Sequence, residues 1–264
     1  ANVGDMRNTG IELSLNADAI RTKDFDWNIS LNLAHNENEV TRLSNDVFTM
    51  DKILLGDVFI RGGSSSGTHV LEEGRPIGQF YGLVCNGIDE NGRYIMVDKD
   101  GDGEISDPAD YDYIGSAQPK LTYGITNTFR YKNFDLSFFL RGTIGNDILN
   151  ATRMAYAQSG FLPGTNALDD PLTYTLSETP RFSNYYLEKG SFMRLDNLTL
   201  GYKIKALNGI RVYFTAQNLF VITKYKGLDP EVPMDSGDGL TPGVEPREFY
   251  PKARTFSVGL NLNF

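Results

Sequence analysis

The chain has 264 residues with 40% hydrophobic content, a mean hydropathy of -0.32, a formal charge of -9 and a pI near 4.8, a balance that speaks against nucleic acid as a partner. No window approaches the ~18 consecutive apolar residues of a membrane helix. Membrane strands stay open, because a barrel strand turns only every second residue to lipid. The single cysteine, Cys85, rules out an internal disulfide and a cysteine-based zinc site, and reads as a small, partly buried apolar residue. His35 and His69 stand far apart, lack ligand-like neighbours and read as structural or surface residues. The 27 glycines, 14 tyrosines and 16 phenylalanines suit a β-rich chain with tight turns and aromatic belts.

In chain order, the first predicted strand covers residues 9–20. Ile11, Leu13, Leu15, Ala17 and Ala19 alternate there with Glu12, Ser14, Asn16 and Asp18. A short turn at 21–24 leads into a second strand, where Phe25, Trp27, Ile29, Leu31 and Leu33 alternate with polar residues, so the two form a hairpin. Residues 41–118 are Gly-rich and acidic, with Gly62, Gly63 and Gly67 around Ser64, Ser65 and Ser66. Short β-like pieces occur there at 79–84 and 93–97, and none is long enough to cross a bilayer. A second hairpin is predicted over 121–131 and 134–141 around Lys132 and Asn133, with Phe139 breaking its polar face. From 146 to 190 the pattern lapses into a loop. A third hairpin covers 192–204 and 210–223, where Arg194 and Asp196 interrupt the first strand. A loop rich in Gly, Pro and Asp precedes the last strand. There Phe256, Val258, Leu260, Leu262 and Phe264 alternate without a slip with Thr255, Ser257, Gly259, Asn261 and Asn263.

Connection lengths alternate strictly between short and long, as they do in an outer-membrane barrel with short periplasmic turns and long extracellular loops. Phe25, Trp27, Phe129, Tyr131, Phe134, Tyr202 and Phe264 all fall at the short-turn ends of their strands, where a lower aromatic girdle belongs. Ser257, Gly259, Leu262 and Phe264 also resemble the C-terminal targeting signal of bacterial outer-membrane proteins. The fold expected is therefore all-β: an antiparallel transmembrane β-barrel segment with its apolar face to lipid and its polar face to the lumen. About seven spanning strands fall short of the minimum of about eight for a closed barrel, and an open sheet in lipid leaves backbone groups unpaired. The segment is then expected to be the closing part of a larger barrel, with one further strand hidden in the long loop as an alternative. The chain starts at Ala1 without Met or leader, which fits a removed leader or a C-terminal portion; the strand count favours the second.

The acidic loop at 98–110 is the one strong chemical motif. Asp98, Asp100 and Asp102 occupy the first, third and fifth positions of an EF-hand-like loop, Gly103 the sharp turn, the Glu104 carbonyl the seventh and Ile105 the apolar anchor. Ala109 stands where the bidentate acid belongs, and Asp110 takes its place if Pro108 marks a one-residue bulge. Carboxylates this close repel without a cation, so a structural Ca²⁺ is expected, rigidifying a long loop rather than catalysing.

Several stretches resemble the SusC/RagA family of TonB-dependent outer-membrane transporters from Bacteroidota. They are the run from Asn2 to Asn16, the run from Gly74 to Gly82, and the acidic loop followed by Tyr113 to Pro119. The runs from Asn197 to Tyr202 and from Arg211 to Phe220 complete the set. The resemblance implies a barrel of about 22 strands, of which this is roughly the last third. It also implies import of glycans or peptides powered through TonB, with a SusD-like surface lipoprotein over the mouth. No plug domain and no TonB-contacting segment is recognisable within these residues, so gating residues are expected elsewhere in the protein. Tyr111, Tyr113, Tyr156, Phe161, Tyr174, Tyr185 and Tyr186 are the candidate contacts for substrate or lid, since aromatics stack on sugar rings and anchor interfaces. Two other readings compete. A secreted, calcium-stabilised β-sandwich binding module explains the alternation and the acidic loop, but not the sorted loops. A barrel enzyme needs a nucleophile–base set, and no serine is marked out as a partner for His35.

Overall fold

The computed structural model describes residues 4–44, 50–61, 63, 65, 67–207, 210–232, 239–247 and 250–262. Along the chain, β1 (Asp5–Arg21) and β2 (Phe25–Arg42) form a long hairpin. A first long connection carries β3 (Lys52–Leu55), β4 (His69–Glu72), β5 (Gln79–Leu83), β6 (Cys85–Ile88), β7 (Tyr94–Met96) and β8 (Tyr111–Ser116). A second hairpin pairs β9 (Leu121–Tyr131) with β10 (Phe134–Ile144). The second long connection holds β11 (Asp147–Leu149), two short helices α1 (Ala151–Tyr156) and α2 (Pro171–Thr175), a 3-10 turn at Asn184–Tyr186, and β12 (Leu187–Lys189). A third hairpin joins β13 (Phe192–Ile204) to β14 (Ile210–Thr223), and the chain returns after a third long connection as β15 (Thr255–Asn261).

Seven of these strands make one antiparallel sheet in the order β1-β2-β9-β10-β13-β14-β15, so the wall is laid down in chain order. Residues directly opposite each other across a pair share a face, and the registers therefore carry two distinct surfaces across the sheet. On one, Trp27, Phe129, Leu136, Leu200, Phe214 and Val258 form a continuous row from β2 to β15. On the other, Asp18, Asn28, Thr128, Ser137, Thr199, Thr215 and Ser257 form a row across all the wall strands. Among the described residues no second sheet covers the apolar face: Ile11, Leu13, Phe256, Val258 and Leu260 stay exposed. A β-sandwich would bury that face, and a barrel wall turns it to lipid.

Phe25, Tyr131, Phe134 and Tyr202 fall in one cross-strand row at the short-turn ends, with the Phe134 and Tyr202 rings 4.6 Å apart. This is the girdle expected from the sequence; Phe264, counted in the same belt, lies outside the described residues. A polar residue interrupts the apolar face at the third row above the short turns. Asn127 is buried, and its Oδ1 accepts the Trp27 Nε1–H at 3.0 Å, so the two polar groups satisfy each other.

The structure departs from the sequence reading in three places. First, β1 begins at Asp5, ahead of the expected 9–20, and β2 runs to Arg42, beyond the apolar alternation of 25–33 and up to the start of the expected loop at 41. The extension is built from charged alternation, with Arg7 paired to Glu39 at 2.5 Å and Arg42 to Asp5 at 2.8 Å, which an apolar periodicity does not register. A strand of 17 residues spans about 56 Å at ~3.3 Å per residue, so this hairpin stands clear of a ~30 Å hydrocarbon layer. Second, the loop over 146–190 carries short elements that the sequence reading did not place: β11, α1, α2, the 3-10 turn and β12. Third, no eighth wall strand is hidden in the first connection among the described residues; its short strands pair with each other.

Candidate functional site

The three long connections leave the sheet at the same rim, because the short turns occupy the other, and they fold into one body. Val58, Ile60 and Phe80 of the first share a core with Leu149, Met154 and Phe182 of the second, and Val244 of the third packs against it. Backbone pairing joins them as well: Leu83 bridges Ser183, and Leu149 bridges Val244 with N–H···O distances of 2.8 and 3.0 Å on its two sides. His69 is buried, donates through Nε2–H to the Pro242 carbonyl at 2.9 Å, and packs tilted against Phe80 with ring centres 4.5 Å apart, so it is a structural tie between the first and third connections. His35 lies on the apolar-phase face, with Nδ1 2.6 Å from the Lys120 carbonyl and Nε2 3.4 Å from Glu37.

The acidic loop spans the turn between β7 and β8. The carboxylates of Asp98, Asp100 and Asp102 lie within 4.8 Å of one another and are exposed. Gly101 and Gly103 have φ of +77° and +90°, a left-handed backbone that brings these carboxylates to one side. Asp98 accepts the N–H groups of Gly101 at 2.7 Å and Gly103 at 2.9 Å, and Asp102 accepts that of Glu104 at 2.8 Å. Ile105 packs beside Tyr111 and Leu83, as an apolar anchor should.

Asp110 is not brought to that cluster. It is buried beneath the loop, where Oδ1 accepts the Lys99 N–H at 2.6 Å and Oδ2 the Ser106 N–H at 2.7 Å. The Ser106 and Lys99 amides hold its carboxyl below the usual carboxylate range. A lowered folded pKa means the contribution is complete above the ordinary carboxylate pKa and is lost as pH falls through the folded value. Asp110→Asn is therefore expected to loosen the loop at neutral pH, seen as faster trypsin cleavage after Lys99. Unchanged cleavage would contradict this role.

The candidate aromatics divide by burial. Tyr111 and Tyr186 are fully buried, so the expectation that they contact substrate or lid is corrected: they build the loop body's own core. The Tyr186 hydroxyl lies 2.5 Å from that of Tyr94, and burial pushes both phenols well above the usual tyrosine range. Tyr113 sits half-buried under Arg75, whose guanidinium is 3.8 Å from the ring centre, and Tyr185 lies under Arg153 at 5.3 Å. Tyr156 and Phe161 flank Arg61 at 5.5 and 5.2 Å. Phe161 and Tyr174 are exposed, Tyr174 by 73%. Sequence reading missed Tyr250 and Phe59, which are exposed by 84% and 45%.

It also missed a buried ion network at the base of the third connection. Arg194 on β13 is 1% exposed; it donates to Asn218 and, at 2.5 Å, to Asp229, with Nε 3.4 Å from Glu231. Arg141 on β10 grips Glu231 with two bonds of 2.9 Å and Asp196 with one of 3.2 Å, and Lys252 reaches Glu231 at 2.6 Å. Burial pushes the Glu231 carboxyl up, but the bonds from Arg141 and Lys252 outweigh it and hold the group below the usual range. Asn218, at φ +52°, donates to the Lys252 carbonyl at 2.7 Å. The network thus clasps both ends of the third connection to the wall. The visible signal was the pair Arg194 and Asp196 interrupting the strand pattern; Asp229 lies 35 residues after Arg194, and Arg141 lies 55 residues before Asp196.

No family model matches the chain. Over its whole length it is 36% identical to the TonB-dependent receptor SusC of Bacteroides thetaiotaomicron, of which the match covers 27%. It is 32% identical to the TonB-dependent receptor P3 of Formosa agariphila, covering 29% of that protein. Its fold superposes on the solved structure of the RagAB peptide transporter with a TM-score of 0.76 and 27% identity, covering 98% of this chain and 29% of that one. The chain spans a little over a quarter of the length of the relatives it matches, between 27% and 29%. A sheet with one lipid-type face, an aromatic girdle and sorted connections agrees with these likenesses, and this chain belongs to the SusC/RagA family of TonB-dependent receptors, as part of the wall of an outer-membrane β-barrel.

Proposed function

We propose that this chain supplies seven neighbouring wall strands and the extracellular mouth of an energised importer whose barrel has about 22 strands. The observation that carries the reading is the fusion of three long connections into one body on a single rim, above a wall that is polar inside and apolar outside. Such a body is a fixed mouth that shapes what enters. The solute proposed is an oligosaccharide, with peptide as the second reading favoured by the likeness to the RagAB peptide transporter. A SusD-like surface lipoprotein covers the mouth, contacting exposed aromatics such as Phe161 and Tyr174, and TonB acts through parts of the protein outside this chain. The role is uptake without catalysis. Deleting the receptor from its bacterium tests it: uptake of a labelled oligosaccharide or peptide should stop and return with the intact gene. Unchanged uptake of every solute tried contradicts the reading.

Calcium belongs to the same proposal. Asp98, Asp100 and Asp102 with the Glu104 carbonyl offer hard oxygen donors at EF-hand spacing, and Asp110 shapes the loop from beneath. The cation fits where three exposed carboxylates crowd within 4.8 Å and would otherwise repel. Calcium is expected to raise the unfolding temperature of the purified receptor, and Asp100→Asn with Asp102→Asn to abolish that rise. An equal rise in the double variant would rule the site out.

A further inference from the structure

Phe139 interrupts the polar alternation of the inner wall in the middle of β10. Its row runs Asn16, Ser30, Thr126, Phe139, Asn197, Gln217 and Thr255, so a single aromatic stands among hydroxyls and amides. The row beneath is Asp18 followed by Asn28, Thr128, Ser137, Thr199, Thr215 and Ser257. These two rows make a waist that is neutral apart from Asp18. The Phe139 ring reaches over Gly124, which leaves room for it: a Cβ at Gly124 would stand 3.1 Å from its Cε2. The ring floors a pocket of about 410 Å³ whose polar lining includes Glu12, Ser14, Asn32, Thr122 and Arg141. Arg141 does not offer a free cation there, since Glu231 and Asp196 hold it at 2.9 and 3.2 Å.

We propose that Phe139 is a solute-contact platform in the lumen, taking the flat face of a sugar ring of an uncharged oligosaccharide. The inference rests on the importer reading. A sugar ring has a weakly polar C–H face bordered by hydroxyls. The platform matches it with an aromatic face bordered by Thr126 and Asn197 on the adjoining strands and Ser137 below. An anionic solute would need an unengaged cation, and a strongly apolar one would not need the hydroxyl rows. The competing role is aromatic cover for Gly124, a packing device within sheets. A third is contact with another part of the receptor inside the barrel.

The test compares Phe139→Leu, Phe139→Ala and Phe139→Trp in the full receptor in its own membrane, matched for surface level. Uptake is measured for a panel of labelled neutral oligosaccharides and for labelled neutral peptides. Phe139→Leu still covers Gly124 but has no aromatic face. The expected result is a roughly three- to tenfold fall in oligosaccharide uptake for Leu and Ala, near-normal uptake for Trp, and little change for peptides. Normal oligosaccharide uptake by Phe139→Leu overturns the inference in favour of packing alone. An equal fall for every solute overturns it in favour of contact within the receptor. An unmodified receptor that imports peptides but no oligosaccharide overturns it while leaving the importer reading standing; one that imports neither overturns both.

Discussion

Arg194→Met is expected to cost the receptor about 3–5 kcal/mol, the range for breaking a buried ion pair by removing one partner. Arg194 and Asp229 are both nearly inaccessible, and their contact is 2.5 Å. Truncation leaves the Asp229 carboxylate desolvated with no nearby replacement, because Arg141 and Lys252 are already committed to Glu231. Changing both partners, Arg194→Met with Asp229→Leu, should recover much of the loss, since the penalty lies in the orphaned charge rather than in the absence of a pair. Lys252→Ala, at the exposed end of the same network, should cost under about 1 kcal/mol. Urea unfolding of the receptor in lipid vesicles reads all three. Similar small effects for Arg194→Met and Lys252→Ala would mean that the clasp is not buried as described.

The second large effect concerns the outer face. Leu198 stands in the third apolar row above the short turns, with Phe138 and Ala216 on either side. Leu198→Arg places a cation near mid-depth, where outer-membrane barrels lose about 2–4 kcal/mol. Leu260 lies two rows lower, level with the girdle residues Phe134 and Tyr202, so Leu260→Arg should cost about 0–1 kcal/mol. Thr199→Lys turns to the polar face and should be tolerated, with Ser137 and Thr215 as neighbours. The ordering Leu198 above Leu260 above Thr199 depends on face and depth together. A soluble sheet would give no such gradient.

Much of the wall is legible because period-two alternation and short turns agree there. The strands at Leu121–Tyr131, Phe192–Ile204 and Ile210–Thr223 match the sequence reading residue for residue. The outer ends of β1 and β2 are hidden because polar and charged residues replace the apolar spacing there, with cross-strand ion pairs such as Arg7–Glu39 and Arg42–Asp5 in its place. The helices α1 and α2 are hidden because five or six residues cannot display a helical period. They depend on caps, Asn150 accepting from Arg153 and Asp170 from Leu172, and on burial of Met154 and Leu172 in a core contributed by distant segments. That core also explains Tyr111 and Tyr186. A tyrosine in a long connection suggests a contact surface only while the connection is imagined open, and these connections carry their own interior. The gathering of Asp98, Asp100 and Asp102 was legible because their spacing in the acidic loop is local. The place of Asp110 beneath the loop was not legible, because its partners, the Lys99 and Ser106 amides, follow from the path of the loop rather than from its spacing.

The most direct test of the wall is to place single cysteines at residues 197–202 of β13 in the receptor, with Cys85 changed to Ser, and label them in native membranes. A fluorophore at Leu198, Leu200 and Tyr202 should be quenched by nitroxide lipids, and one at Asn197, Thr199 and Gly201 by a water-soluble quencher, in strict alternation. Quenching that does not alternate, or that follows the aqueous quencher at every position, would contradict a wall with lipid on one side and a wet lumen on the other.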